Sequence, residues 1–446
     1  MVEELSMKSR PSTTEQLNKF IEFRQSVYRH FMPHERDAQF ELVDALLVSG
    51  SITTFPALSQ SPVFRRGWPS AYTAIERGEQ DTEWLRRHLS QQVPAGQVCV
   101  FALDPTVWVR PRTRTLEGLR YEQSPTQAIE GRSTVKGYAY SMLAWIPERG
   151  KSWALPVDTR RIIGEQTVAE VGAEQVRALC ANRPDATLDV VVGDGSFGNH
   201  HFLGGVKDLS CGVVVRLRRD RVLYGEPGEY CGRGTRNLRH GRRFAFKEPD
   251  TWGPPTEELW LVDSRYGLVH LRCWRALHAK QDASTPFDVI QAEVHLERRK
   301  RPDPIWLATL GAPQVPVYHK WLWFDQRWPI EPAIRFRKGR LYWTLPQFQQ
   351  PERCDRWTAL VDLAYWHIWL ARDLVTDQPL PWQKGQTDLT PGRVTLGLGA
   401  LFAQFETPTT SPQTRGKSPG WPSGRPRTRP KRYKVLKRGP KRAPAA

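Results

Sequence analysis

The sequence predicts a mixed α+β fold: a mixed sheet with flanking helices, a helical domain ahead of it and a β-rich insertion within it. Three observations lead there. Apolar residues recur near helical spacing from about 15 to 95. Short apolar runs bounded by turn residues recur from 97 to 310. Between residues 97 and 192 the segments read strand, strand, strand, helix, strand. At 446 residues the chain exceeds one ordinary core and suits two or three domains.

The first helix covers Gln16 to Phe31, where Leu17, Phe20, Ile21, Phe23, Val27, Tyr28 and Phe31 share a face. Ala38 to Leu47 repeats the pattern, Ser51 to Pro62 breaks it, and Ser70 to Leu89 gives one or two more helices with Trp84 and Leu85 inward. Arg65, Arg66, Arg86 and Arg87 make the edges basic, though no sharp recognition helix stands out. Gln97 to Leu103 (QVCVFAL) is apolar enough for a buried strand, and Asp104 stands at its end. Val135 to Ile146 and Ser152 to Val157 read as paired strands around the turn Pro147-Glu148-Arg149-Gly150. Thr167 to Asn182 is a helix. Leu188 to Val192 (LDVVV) is a second buried strand, stopped by Gly193-Asp194-Gly195.

Further strands follow at Cys211 to Leu217, Trp260 to Val262, Leu268 to Arg275, Phe287 to Leu296 and Pro304 to Leu310. Trp357 to Val375 is a helix rich in apolar and aromatic residues, and no internal repeat is evident. The strand and helix order up to Val192 fits a ribonuclease-H-like core.

Charge speaks of partners. The net charge is +18, and Arg outnumbers Lys, which suits polyanions and phosphate above all. Ten Lys or Arg fall between Arg216 and Lys247. Twelve more, with no acid, fall between Arg415 and Arg442, two-thirds of the net charge. That tail is rich in Pro, Gly and Ser, so it reads both as a disordered segment and as a nucleic-acid-binding arm. Cys99, Cys180, Cys211, Cys231, Cys273 and Cys354 are scattered without zinc spacing and read as reduced thiols. Met1 to Thr14 is polar, unlike a signal peptide, and no run of 18 apolar residues exists, so no membrane partner is expected.

The densest chemistry lies at Phe324-Asp325-Gln326-Arg327-Trp328-Pro329-Ile330-Glu331, followed by Lys338: F-x2-R-x3-E-x6-K. A carboxylate stands among a ring, a guanidinium and an ammonium, groups suited to a phosphate backbone. The plain alternative is an amphipathic helix start with charges on its wet face. The pattern resembles, with Phe324 in place of Tyr, the Y-x2-R-x3-E-x6-K signature of a group of bacterial insertion-sequence transposases. These are cut-and-paste enzymes of the DDE class with a ribonuclease-H-like core.

The resemblance covers about residues 96–375. It implies a first Asp on the first core strand, a second on the fourth, and a Glu on a helix after a β-rich insertion. Asp104, Asp194 and Glu331 follow that order and would hold Mg²⁺ or Mn²⁺, two ions in all, because two metals and three carboxylates serve phosphoryl transfer. Each has a bland reading as well: Asp104-Pro105 as a turn opener, Asp194 between glycines as a turn, Glu331 as a surface carboxylate.

By the same resemblance Arg327 and Lys338 contact transposon-end phosphates. Phe324 keeps the ring and loses the hydroxyl that would bond one. Trp306, in Pro304-Ile305-Trp306-Leu307-Ala308-Thr309, would stack on a flipped-out base, or else is a core residue of its strand. Pro329 and Pro332 depart from the family's continuous helix and predict a helix starting near Glu331.

The implied organisation is a helical DNA-binding domain at 1–95, catalytic core at 96–217 and 303–375, a basic β-rich insertion at 218–302, and a linker with a disordered basic tail at 376–446. The implied function is metal-dependent DNA cleavage and strand transfer. The implied partners are double-stranded DNA, as terminal inverted repeats and target, and a second copy of the chain as homodimer. The implied location is the bacterial cytoplasm, on the nucleoid. The alternative is a non-catalytic DNA-binding or regulatory protein derived from a transposase.

Overall fold

One apolar run sets the centre of the sheet. β1 (Val98–Val109) holds Cys99 to Leu103 at 5% exposure or less, and such a run needs a strand on either side. In the computed structural model, which describes residues 12–123, 133–227, 239–263, 265–295, 303–413 and 420–436, it has both. β3 (Thr134–Ile146) pairs antiparallel on one side and β5 (Leu188–Gly193) parallel on the other. Cys231, Leu296 and the tail residues 414–419 and 437–446 lie outside the described residues, as do positions 228–238 of the basic stretch.

The strand does not end at Leu103 as expected. It runs on to Val109, because β3 keeps pairing with it as far as Val109↔Gly137 after β5 has stopped. Gly137 permits that approach: a Cβ there would lie 2.2 Å from the Trp108 carbonyl oxygen. Pro105, with no N–H to give, falls just past the last β1–β5 pair.

β4 (Leu155–Arg161) pairs outside β3, as does β2 (Arg120–Gln123) along its first residues. Beyond β5 come β6 (Gly212–Leu217), parallel to it, then β12 (Ile305–Leu310) and β11 (Asp282–His295), each antiparallel to its neighbour. β10 (Gly267–Ala279) follows, carrying β9 (Glu257–Asp263) and β7 (Val222–Tyr224), with β8 (Arg243–Ala245) on β7. Among the described residues, the twelve strands form one mixed open sheet. Strands β7 to β11 are all inserted between β6 and β12, which is the β-rich insertion the sequence predicted.

The crossover from β4 to β5 is α5 (Val168–Asn182), started by a Thr167–Glu170 capping box. It is tied to the sheet by Gln175, fully buried, whose amide bonds Ser141 and the Asp158 carbonyl oxygen. The mixed α+β architecture is therefore the expected one.

The chain divides into two units. The sheet lies in residues 87–112, 118–332 and 435–446; a helical unit takes 1–86, 113–117 and 333–434. In the helical unit α1 (Thr13–His30), α2 (Arg36–Val48), α3 (Trp68–Arg77) and α10 (Pro391–Gln404) surround α9 (Pro351–Ala371). α9 is apolar on nearly every face and accordingly buried on nearly every face, with Trp357, Tyr365, Trp366 and His367 at 0% exposure. Phe20 and Phe23 meet the His367 ring at 5.9 and 5.3 Å. Arg337 is wholly buried, paired with Asp362 and set 4.0 Å over the Trp343 ring. Burial pushes its guanidinium down to about 9.

Helix α10 stands where only a linker was expected. Its buried Val394, Leu398, Leu401 and Phe402 recur at helical spacing, a period diluted by glycines. The described tail, 420–436, has no helix or strand and is mostly exposed. Its end is not free, however: Leu436 bonds the Leu119 carbonyl oxygen and the Tyr121 N–H at 2.9 and 3.2 Å. The five described cysteines are free thiols. Among the described residues no helix is long and apolar enough to cross a membrane.

Candidate active site

Strand register fixes the first two carboxylates. The last parallel pair between β1 and β5 is Leu103↔Gly193, and Asp104 and Asp194 are the next residue on each strand. They therefore leave neighbouring strands at one level, where strands stand about 4.8 Å apart. Asp104 stays in the sheet on its far side, opposite Met142. Asp194 follows the last residue of its strand in a turn: its carboxylate accepts from Ser196 N–H at 2.9 Å and from Ser196 Oγ at 3.3 Å. Both are partly buried.

Glu331 reaches the site from a different direction. α7 (Val317–Asp325) ends just before the signature arginine, the chain bends through Gln326 to Pro329, and α8 (Ile330–Gly339) begins. Pro332 sits in the first turn of α8, where its missing N–H costs nothing. The helix start near Glu331 and the bend before it are those the prolines predicted.

At the bend, the Arg327 guanidinium donates to Asp104 Oδ1 at 3.1 Å and to Glu331 Oε1 at 2.7 Å. It thus ties the third carboxylate to the first. The expected phosphate-contacting arginine is engaged by two carboxylates in this conformation. With the guanidinium between Asp104 and Glu331, the three carboxylates Asp104, Asp194 and Glu331 do not close to a ligand cluster. Among the described residues, the group whose ligand atoms all lie within 4.8 Å is His270, Glu293 and His295.

A second set of residues, missed in the sequence, positions this segment. Asp325, 3% exposed in its side chain, accepts from Arg149 Nε at 3.1 Å, Arg149 Nη2 at 2.9 Å and Arg265 Nη1 at 3.2 Å. Arg149 Nη2 also donates to Asp263 at 2.9 Å, and Asp263 accepts the backbone N–H groups of Arg265 and Tyr266 at 2.7 and 3.1 Å. Burial works against charge on Asp263, but these donors outweigh it and hold its carboxyl below the usual range. Burial, and then the Asp325 carboxylate, push the Tyr266 hydroxyl up to about 12. The network pins the end of α7 to the turn after β3 and to the end of β9. Asp325 lay inside the signature and Arg149 inside the predicted turn, but nothing in their spacing pairs them.

The remaining expected residues are placed as follows. Phe324, near the end of α7, is partly buried with its ring 6.4 Å from Trp321. Lys338 is in the last turn of α8 and partly buried. Trp306 is a correction. It is 1% exposed on β12, with Phe246 stacked on it at 4.0 Å and Phe244, Trp252 and Trp274 around it. Phe246 covers the face a flipped base would need, so the ring serves the core of the insertion.

The family described as DDE superfamily endonuclease matches residues 26–272, more than half of the chain. The chain belongs to that family. Its open mixed sheet flanked by helices is the ribonuclease-H-like DDE fold, and enzymes of the superfamily typically use divalent metals. No curated protein matches the sequence. Among solved structures, the C-terminal lobe of a budding yeast Argonaute is similar at 10% identity, over 74% of this chain and 60% of that one, with a TM-score of 0.20. The chain thus spans 60% of that lobe, a likeness too slight to carry an argument.

Proposed function

We propose that this DDE endonuclease is an insertion-sequence transposase of the Y-x2-R-x3-E-x6-K group. In this reading it cleaves DNA at the ends of its element and joins them to a target, and Asp104, Asp194 and Glu331 hold the divalent ions. The observation that carries the reading is the join across Arg327. Asp104 is linked through a single guanidinium to the signature glutamate, and Asp194 stands at the same level on the neighbouring strand.

The residues fit such ions in kind. The donors are all carboxylate oxygens, the choice of Mg²⁺ and Mn²⁺. A guanidinium already lies between Asp104 and Glu331, so the place accepts positive charge. When bound, two such ions would supply Lewis-acid stabilisation at the phosphoryl oxygens and an activated attacking oxygen.

The chain's own residues do the rest. β1 and β5 fix two carboxylates on rigid mounts, and the helix start of α8 brings the third. Arg327, exchanged from the carboxylates to a DNA phosphate, would hold the cut strand, and Lys338 and the Phe324 ring would add contacts to the DNA backbone. The partners are terminal inverted repeats, target DNA and a second copy on the paired end, in the bacterial cytoplasm on the nucleoid. The basic tail adds phosphate contacts.

The test is end cleavage of a labelled inverted-repeat duplex with Mg²⁺ or Mn²⁺. Asp104→Asn, Asp194→Asn and Glu331→Gln should each lose cleavage by at least about 10³-fold while binding the duplex as the wild type does. Near-normal cleavage by Asp194→Asn would refute the assignment. A wild-type chain that binds the duplex and never cuts it would favour the non-catalytic regulator.

A further inference from the structure

The cluster of His270, Glu293 and His295 lies outside the carboxylate site, on one face of the inserted strands. His270 on β10 stands directly opposite Glu293 on β11, and His295 follows two residues later on the same face. Their ligand atoms lie within 4.8 Å of one another. Glu293 Oε2 is 3.8 Å from His270 Nδ1 and 4.0 Å from His295 Nε2.

The surroundings prepare each donor. His270 Nε2 lies 2.7 Å from Glu258 Oε1 on β9; a carboxylate only accepts, so the ring proton is on Nε2 and the lone pair is on Nδ1. A carboxylate behind a histidine is the common outer support of a metal-ligating imidazole. Arg272 donates to Glu293 Oε1 at 2.7 Å, which orients the carboxylate and leaves Oε2 facing the histidines. His295 Nε2 is buried and has no hydrogen-bond partner, and an orphaned buried polar atom calls for a ligand. Trp260 lies flat on His270, 4.0 Å between centroids at 2°, and shields one side.

We propose that His270, Glu293 and His295 form a metal site in the insertion, distinct from the catalytic carboxylates, that takes a divalent transition ion of the zinc type. Two imidazoles and one carboxylate are the donors Zn²⁺ accepts, whereas Mg²⁺ takes oxygen. Bonds of about 2.0–2.1 Å place tetrahedral ligands roughly 3.3–3.5 Å apart, so side-chain rotation of up to about 0.7 Å per donor closes the site. Because its donors come from β10 and β11, a bound ion clips the hairpin that leads back into β12.

The experiment is Co²⁺ titration of the full chain freed of metal by chelator, read by visible ligand-field absorption and by the melting temperature with Zn²⁺. One equivalent of Co²⁺ should give the absorption, and Zn²⁺ should displace it and raise the melting temperature. His295→Ala, at a partly exposed strand end, and Glu293→Gln should abolish both effects. Glu258→Gln should weaken binding about 10- to 100-fold. Asp194→Asn should leave everything unchanged, which separates this site from the carboxylates. The proposal is overturned by a wild type with no such absorption. It is equally overturned by an absorption that survives His295→Ala and Glu293→Gln, or by one that Asp194→Asn removes.

Discussion

Arg149→Met removes one cation from between two buried carboxylates and keeps most of the apolar stem. Breaking a buried pair costs about 3–5 kcal/mol when the orphaned charge has no other support. Here both acids keep some: Asp325 retains Arg265, and Asp263 retains two backbone N–H groups. Arg149 is itself 34% exposed, so solvent screens part of its effect. The expected loss is therefore about 1–3 kcal/mol. Hydrogen exchange along α7 reads it locally, which matters because two units need not unfold together.

The sign with pH is fixed. The Asp263 carboxyl is depressed in the fold, so its contribution is full above about pH 4 and is lost as pH falls through the folded value. Removing Arg149 should cost most near pH 7 and progressively less toward pH 3. End cleavage should fall with α7 protection while DNA binding holds. A penalty that is flat with pH, or smaller than about 0.5 kcal/mol, would refute the account.

Trp306→Ala should destabilise the sheet unit by roughly 3–5 kcal/mol, as a large ring leaving a packed aromatic cluster; a melt like that of the wild type would show that the ring is not core. Burial, and secondarily Arg24, hold the His367 imidazole down to about 3, so the unfolded chain takes up a proton that the fold refuses. Stability of the helical unit should then fall by about 1.4 kcal/mol per pH unit as pH drops below about 6, and His367→Phe should remove that slope; a variant with the same slope would contradict it. Removing the tail after Thr410 should lower the salt dependence of DNA binding by about 0.9 for each phosphate the tail neutralises. Equal slopes with and without the tail would end its reading as an arm.

What the sequence made legible follows from local physics. QVCVFAL and LDVVV read as buried strands because they are almost wholly apolar, and so Asp104 and Asp194 could be placed at strand ends; that they share one sheet level needed the pairing of β1 with β5. Pro329 and Pro332 located the start of α8 through their steric demands. Pairings distant in sequence were not legible. Arg149 meets Asp325 across 176 positions, and Trp306 meets Phe246 through a sheet register that no period encodes. The extension of β1 past Asp-Pro was hidden because that dipeptide opens turns as readily as it sits at a half-paired strand. Helix α10 was hidden by its glycines. His270 and His295 stood apart in sequence, in no recognised metal spacing, until β10 and β11 paired.

The placement of β12 has a consequence for how the molecule is made. β6 carries Val213, Val214 and Val215 in the sheet interior, and its outer edge is covered only by β12, which arrives after the whole insertion. A growing chain therefore holds an apolar strand with open backbone donors and acceptors until residue 310 has emerged and folded back. Pairings that close over so long a span form slowly. A fragment stopped at residue 272, where the family match ends, keeps both aspartates and lacks the strand that seals β6. Such a fragment should aggregate through that edge, and synthesis of the full chain is most exposed to misassembly between β6 and β12.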